Sequence, residues 1–223
     1  MNLLKRIPVH YRGELHNVRL INFSVDMDEI RTKIPRYIKP RNFNGRAMIS
    51  MVDVNLKNMR PVLLPFLRFA YRHVAFRLLV DDSAYNDGVS KGIFFLRSFT
   101  NRRTVVAGGS LMTDYNLEHA DISEDENEVA ITQGTNQVRY VLQKGTQISD
   151  SNLKETIGRL DRAYSVLGDK VRVTQIQREK WPIEQVACSD FDNTFFSTAR
   201  FKGAFRVNET IYYDWFPQKT ITA

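Results

Sequence analysis

Two residues in the middle of the chain, His73 and Arg77, have the types and spacing best suited to holding a small anion. Between Tyr71 and Asp81, residues of different character alternate with a period of two. The segment therefore reads as a strand with Tyr71, His73, Ala75, Arg77 and Leu79 on one face and Arg72, Val74, Phe76, Leu78 and Val80 on the other. Four residues of strand span about 13 Å, too far for one small anion to bridge the pair. Arg77 is expected to hold a carboxylate, while His73, whose charge near neutral pH depends on its surroundings, meets another part of the ligand or a water. A solvated strand face explains both residues without a ligand. If Arg77 is buried, an internal carboxylate explains it too, and Glu118 is the candidate. The segment Tyr115 to Glu118 is the expected opposite wall of such a site.

The other chemical residue types converge less. His10, His16, His73 and His119 have no HxH or HxxxH spacing, so no preformed metal site is expected. Glu118 and His119 are neighbours and would point to opposite sides of a strand, which argues against a joint acid–base role. Gly108-Gly109 lacks the further glycines and the lysine of a phosphate loop, and close helix packing accounts for it better. Cys188 has no obvious base beside it and reads as a buried, inert thiol. Met48, Met51, Met59 and Met112 lie in apolar contexts that suit core filling.

The elements that would position these residues begin with a strand over Tyr11 to Val25, with a bulge near Asn17. A short capped helix follows, opening at Asp26 with Glu29 three residues on and stopping before Pro35. Arg46 to Leu56 reads as a central strand, and the proline-rich apolar stretch from Pro61 to Pro65 as a loop packed on the core. From Lys91 to Asp121 the period changes twice, giving strand, helix and strand. The small run Ala107 to Ser110 suggests that this helix is buried at the centre of the fold. Short strands over Ala120–Asn127, Glu128–Gln133 and Gln137–Leu142 precede apolar residues at Leu153, Ile157, Leu160, Tyr164 and Leu167. Those predict one long helix, capped at Asp150 or Ser151 and stopped by Gly168. Val171–Arg178 and Thr210–Trp215 close the list of strands. Many strands with few helices and no regular βα alternation point to an α+β fold with a strongly curved sheet.

Composition limits the function classes. The chain has 223 residues, 43% hydrophobic and 26% charged, with a net charge of +7, and reads as one domain over residues 1–223. The basic excess lies in residues 1 to 120, scattered rather than in blocks and without a nucleic-acid motif, so nucleic acid is not an expected partner. One cysteine excludes an intrachain disulfide, and the N-terminus lacks the apolar run of a signal peptide; a reducing cytoplasm is the expected setting. The longest apolar region, Pro61 to Val80, carries Arg68, Arg72, His73 and Arg77 and is not expected to span a membrane.

The order of these elements, the strand–helix–strand unit at Gly92 to Asp121, the spacing of His73 and Arg77, and the late WPIEQ segment before a final YYDW strand resemble the acetoacetate-decarboxylase-like superfamily. Within it they resemble the YqjF-like branch, whose function is not established. The resemblance implies a closed or conical, mainly antiparallel β-barrel with a central helix and a few flanking helices, often as a homo-oligomer; no cofactor is expected. It also implies a Schiff-base lysine made nucleophilic by a neighbouring positive charge. At that place this chain has Leu117 and Glu118, and neither forms an imine. The family's catalytic glutamate falls at about His73, with the following arginine retained as Arg77, and its first-strand arginine falls at about His16. Decarboxylation through a Schiff base is therefore not expected. Three readings stay open: a barrel that binds a small carbonyl or carboxylate compound, an enzyme with altered chemistry on small oxo acids, and a structural protein whose barrel is filled by side chains.

Overall fold

A computed structural model describes residues 9–86, 88–112, 117–145 and 151–221, apart from the side chains of 108–112 and 151. The strands in chain order are β1 (Tyr11–Asp26), β2 (Asn42–Phe43), β3 (Arg46–Pro61), β4 (Phe69–Val80), β5 (Gly92–Thr100), β6 (Leu117–His119), β7 (Asp121–Asp125) and β8 (Glu128–Gln133). They continue with β9 (Asn136–Gln143), β10 (Arg162–Leu167), β11 (Lys170–Arg178), β12 (Glu184–Asn193), β13 (Arg200–Val207), β14 (Ile211–Trp215) and β15 (Lys219–Ile221). The helices are α1 (Met27–Arg31), α2 (Arg103–Met112) and α3 (Ser151–Gly158).

Strands β3, β4, β5, β10, β11, β14 and β1 pair in that order, and β1 returns to pair with β3, which closes a barrel. Neighbours are antiparallel except β5 and β10. From β1 the sheet also continues through β13, β12, β9, β8 and β7, which fold over the outer face of β1, β3 and β4. Those three barrel strands are therefore covered on both sides. Ala47, Ile49 and Met51 of β3 point into the outer core with Phe23 and Phe76, while Met48, Val52 and Val54 belong to the barrel interior. This is why β3 is apolar on both alternating faces. The bulge expected near Asn17 is present: Asn17 has φ 51°, the register of β1 against β3 shifts between His16 and Arg19, and Leu15 and Val18 both pack in the barrel-side core despite their spacing of three.

One polar cluster crosses the outer core. Asp53, 1% exposed, accepts two hydrogen bonds from Arg72 at 2.8 and 2.6 Å and one from the hydroxyl of fully buried Tyr140. Arg72 also reaches Glu124 at 2.7 Å, and Arg19 spans the same two acids, at 3.4 Å to Asp53 and 2.5 Å to Glu124. Two arginines thus meet two carboxylates, and the group ties β1, β3 and β4 to β7 and β9. The alternation had assigned Arg72 correctly to the face opposite His73, although not to so buried a place.

Four expectations require correction. The long helix over 151–167 ends at Gly158, and Arg162–Leu167 is β10, which closes the barrel between β5 and β11. Gly168, with φ 64°, turns the β10–β11 hairpin rather than capping a helix. Tertiary pairing here overrides a helical-looking spacing, because an open gap between β5 and β11 would leave both strand edges unpaired. Helix α2 is not surrounded by the chain over its described first half: Arg103, Thr104 and Ala107 are exposed, and Val105 and Val106 half-buried. The packing expected at Gly108 and Gly109 lies outside the described side chains. The loop after Pro61 does not pack on the core, since Leu63 is 89% and Phe66 75% exposed. Finally, Glu29 does not form a capping box. Its carboxylate instead accepts backbone and hydroxyl hydrogen bonds from Ser197 and Thr198, and although burial pushes it up, these bonds and Lys33 hold it near pKa 2.

Replacing Asp53 by alanine would leave Arg72 and Tyr140 without their buried acceptor. The expected loss of about 3 kcal/mol is read from the urea midpoint at constant slope; an unchanged midpoint would mean that the cluster contributes nothing to holding the outer sheet.

Candidate functional site

The barrel interior is not filled. A cavity of about 450 Å³ runs from Leu160 and Arg178, where α3 closes one end of the barrel, to Thr104 and Val105 of α2 at the other. Exposed Thr104 marks the end where the cavity meets solvent. Its wall is mostly apolar and aromatic, with Tyr11, Phe69, Tyr71, Phe95, Tyr213 and Trp215 prominent.

Alternation along β4 delivers both His73 and Arg77 to this wall, as the period-two reading required. Arg77 is 8% exposed and donates from Nε to the Ser50 carbonyl at 3.1 Å and from Nη2 to Ser50 Oγ at 2.9 Å. No carboxylate of a described residue pairs with it. Burial, reinforced by the charge of Arg178, lowers its pKa to about 9, so the guanidinium stays charged at pH 7. His73 lies between Tyr71 and Phe95, with ring centroids 5.9 and 6.4 Å away. Burial first, and Arg77 second, push its pKa down to about 4 against the opposing pull of Asp53, so it is a neutral imidazole at pH 7. A neutral ring offers one donor and one acceptor to whatever occupies the cavity.

The other sequence candidates divide. Glu118 does not reach the cavity and is not the partner of Arg77. It receives Arg97 at 3.1 and 2.5 Å and Gln133 at 3.1 Å on the opposite face of β6, whereas its neighbour Leu117 lines the cavity. His16 sits outside the barrel at the β1 bulge, bonded to Glu14 at 3.0 Å and to Thr210 at 3.2 Å. The local reason is the strand parity that sends adjacent Leu15 inward. Tyr115 lies outside the described residues. Among the described residues lining the cavity there is no lysine and no acid, and among all described residues no group of three or more His, Cys, Asp or Glu could hold a metal ion.

Arg178 and Trp181 were not singled out by the sequence reading, yet both line the cavity. The signal was available for Arg178: in β11 it shares a face with Thr174 and Ile176, of which Thr174 is buried and Ile176 lines the cavity. Trp181 lies beyond the strand and is placed only by tertiary structure.

These features, a seven-stranded closed barrel with a covering sheet and an internal cavity, define an acetoacetate-decarboxylase-like fold. Solved structures agree on the fold. An acetoacetate decarboxylase-like enzyme from Sphingomonas wittichii RW1 superposes with a TM-score of 0.63 at 8% identity, covering 97% of this chain and 94% of the other. Acetoacetate decarboxylase from Legionella pneumophila gives 0.58 at 10% identity over 97% and 88%. The enduracididine biosynthesis enzyme MppR, complexed with the condensation product of pyruvate and imidazole 4-carboxaldehyde, gives 0.58 at 11% identity over 96% and 89%. No curated protein matches the sequence. The chain belongs to the family DUF2071, described as an uncharacterized conserved protein, whose model matches residues 12–214; it is a YqjF-like family.

The depressed pKa of His73 gives a test of its burial. A base whose folded pKa is lowered loses stability as pH falls from its unfolded value, about 6.5, towards the folded value near 4. Unfolding free energy should therefore drop more steeply across pH 6.5 to 4 in the wild type than in His73→Phe. The difference, on the order of 2 kcal/mol after allowance for water in the cavity, is obtained from denaturant titrations at both ends of the window. Parallel pH profiles would place the imidazole in water.

Proposed function

We propose that the barrel interior binds a small, partly apolar carbonyl or carboxylate compound, and does so without forming a Schiff base. The observation that carries this reading is Arg77, a buried charged guanidinium with no carboxylate partner among the described residues, set in the wall of a largely apolar cavity. A charge in such surroundings costs several kcal/mol unless an anion meets it, so a ligand carboxylate supplies what the chain leaves out. Neutral His73, on the same strand face, then offers a hydrogen bond to a carbonyl or hydroxyl oxygen further along the molecule.

The lining supports binding over a filled barrel, and it opposes imine chemistry: Leu117 stands in the wall where the sequence resemblance aligns the lysine pair, and Glu118 turns away to Arg97. The neighbour MppR has been solved with pyruvate and with a pyruvate condensation product, which makes oxo acids the first compounds to try. A cytoplasmic location and a homo-oligomeric state belong to the same proposal; they rest on cysteine usage and on the family resemblance.

Calorimetric titration with 2-oxooctanoate should give saturable one-site binding that Arg77→Met abolishes while the chain stays folded. Loss of folding in Arg77→Met, with no uptake by the wild type, would make Arg77 structural. Borohydride added in the presence of acetoacetate should leave the protein mass unchanged; a reduced adduct on a lysine would overturn the absence of Schiff-base chemistry.

A further inference from the structure

Arg178 is a second cation in the same cavity, at the end closed by α3, and its environment is as incomplete as that of Arg77. Nη1 and Nη2 donate to the carbonyls of Leu160 and Gly158 at 2.5 and 2.9 Å, at the C-terminal end of α3 and in the turn beyond it. These bonds fix the plane of the guanidinium over the Trp181 ring, 4.4 Å from its centroid. The remaining donor, Nε, is buried with no partner among the described residues, and so is Nε1 of Trp181. The carboxylate whose charge acts on it, Asp161, is already held by Arg162 at 2.7 Å. Backbone carbonyls offset part of the charge of Arg178 but supply no anion, and burial lowers its pKa to about 10. Two buried N–H groups without acceptors, next to a cation, are costly unless a ligand oxygen arrives.

The position of the pair sets the direction of a ligand. Arg77 and Arg178 line the cavity together with Leu160 and Ile93, and the charge of Arg178 is felt at Arg77. Tyr11, Met59, Phe69 and Tyr71 line the cavity where β3 and β4 approach their connecting loop, and Arg102, just before α2, donates to the carbonyl of Ala70 at 2.7 Å. One end of the cavity is thus cationic with free donors, and the other aromatic.

We propose that Arg77 and Arg178, with the indole N–H of Trp181, form a two-cation oxyanion subsite at the closed end of the barrel. It takes the head group of an amphiphilic organic acid whose apolar body lies along the aromatic wall towards α2. This rests on the reading that the cavity binds a carbonyl or carboxylate compound and adds the second cation, the head-group charge and the orientation. A neutral isostere of the acid forfeits the charge-assisted hydrogen bonds while keeping the apolar contacts, which is the basis of the selectivity.

Octanoate and 1-octanol serve as probes, titrated calorimetrically into the wild type and into Arg178→Met. The wild type should prefer octanoate by about tenfold or more, and Arg178→Met should lose most of that preference while binding octanol as before. A preference that survives in Arg178→Met overturns the two-cation subsite and leaves Arg77 as sole anchor, with the proposed function intact. Failure of both probes to bind the wild type overturns the subsite and the ligand-binding reading together. Because Arg178 also holds the end of α3 and the variant could unfold, a crystal structure of the wild type with octanoate gives an independent answer. A carboxylate within hydrogen-bond distance of both guanidinium groups supports the subsite. A carboxylate at the α2 end, or in the outer depression beside Lys180 that Arg178 and Trp181 also border, overturns it.

Discussion

Strands β1, β3 and β4 serve two cores at once, and the rest of the fold follows from that double burial. Their outward residues need a cover, which β7, β8, β9, β12 and β13 supply, and their inward residues need an enclosure, which β5, β10, β11 and β14 supply by closing the barrel. Because the outer core is dense and aromatic, with Phe76 packed against Phe23, Phe99, Phe195 and Phe196, its side of the shared strands has little freedom to shift. The inner side can then hold a cavity without collapsing. A barrel wall supported from only one side would be freer to relax into such a void.

The two cores treat charge in opposite ways. In the outer core Asp53, Arg72, Arg19 and Glu124 balance one another and bond Tyr140, so the cluster is complete as it stands. In the barrel, Arg77 and Arg178 face a cavity whose described lining has no acid. Arg77 is buried and Arg178 half-buried, both lie on strands, and both donate to backbone carbonyls. Of these four arginines only the inner pair lacks a carboxylate partner among the described residues, which leaves its charge uncompensated there.

Much of this was legible before the structure. The period of two in β4 placed His73 and Arg77 on one face and Phe76 and Leu78 on the other, because a strand allows each side chain only two directions. The same rule applied to β11 would have found Arg178 beside Ile176. It failed over residues 159–167, where Leu160, Tyr164 and Leu167 mimic helical spacing; the chain is a strand there because β5 and β11 both need a partner. It also gave Glu118 the wrong neighbour. The need of a buried arginine for a carboxylate suggested that Glu118 meets Arg77, but the bulge in β5 at Leu96 and the parallel pairing of β6 bring it to Arg97 instead.

The sequence by itself determined the α+β class with a strongly curved sheet and the two faces of β3 and β4. Each of these is written in residue type or in local alternation, which the backbone geometry of a strand converts directly into direction. Only tertiary structure decided that α2 stands at the cavity mouth, that His16 and Glu118 face away from the cavity, and that Arg178 and Trp181 complete its closed end. Those outcomes depend on barrel closure, which brings β11 and the turn after it across the barrel from β4, although roughly a hundred residues of chain separate them. No local pattern records which distant strand will satisfy an open edge or which buried cation will be left without its anion.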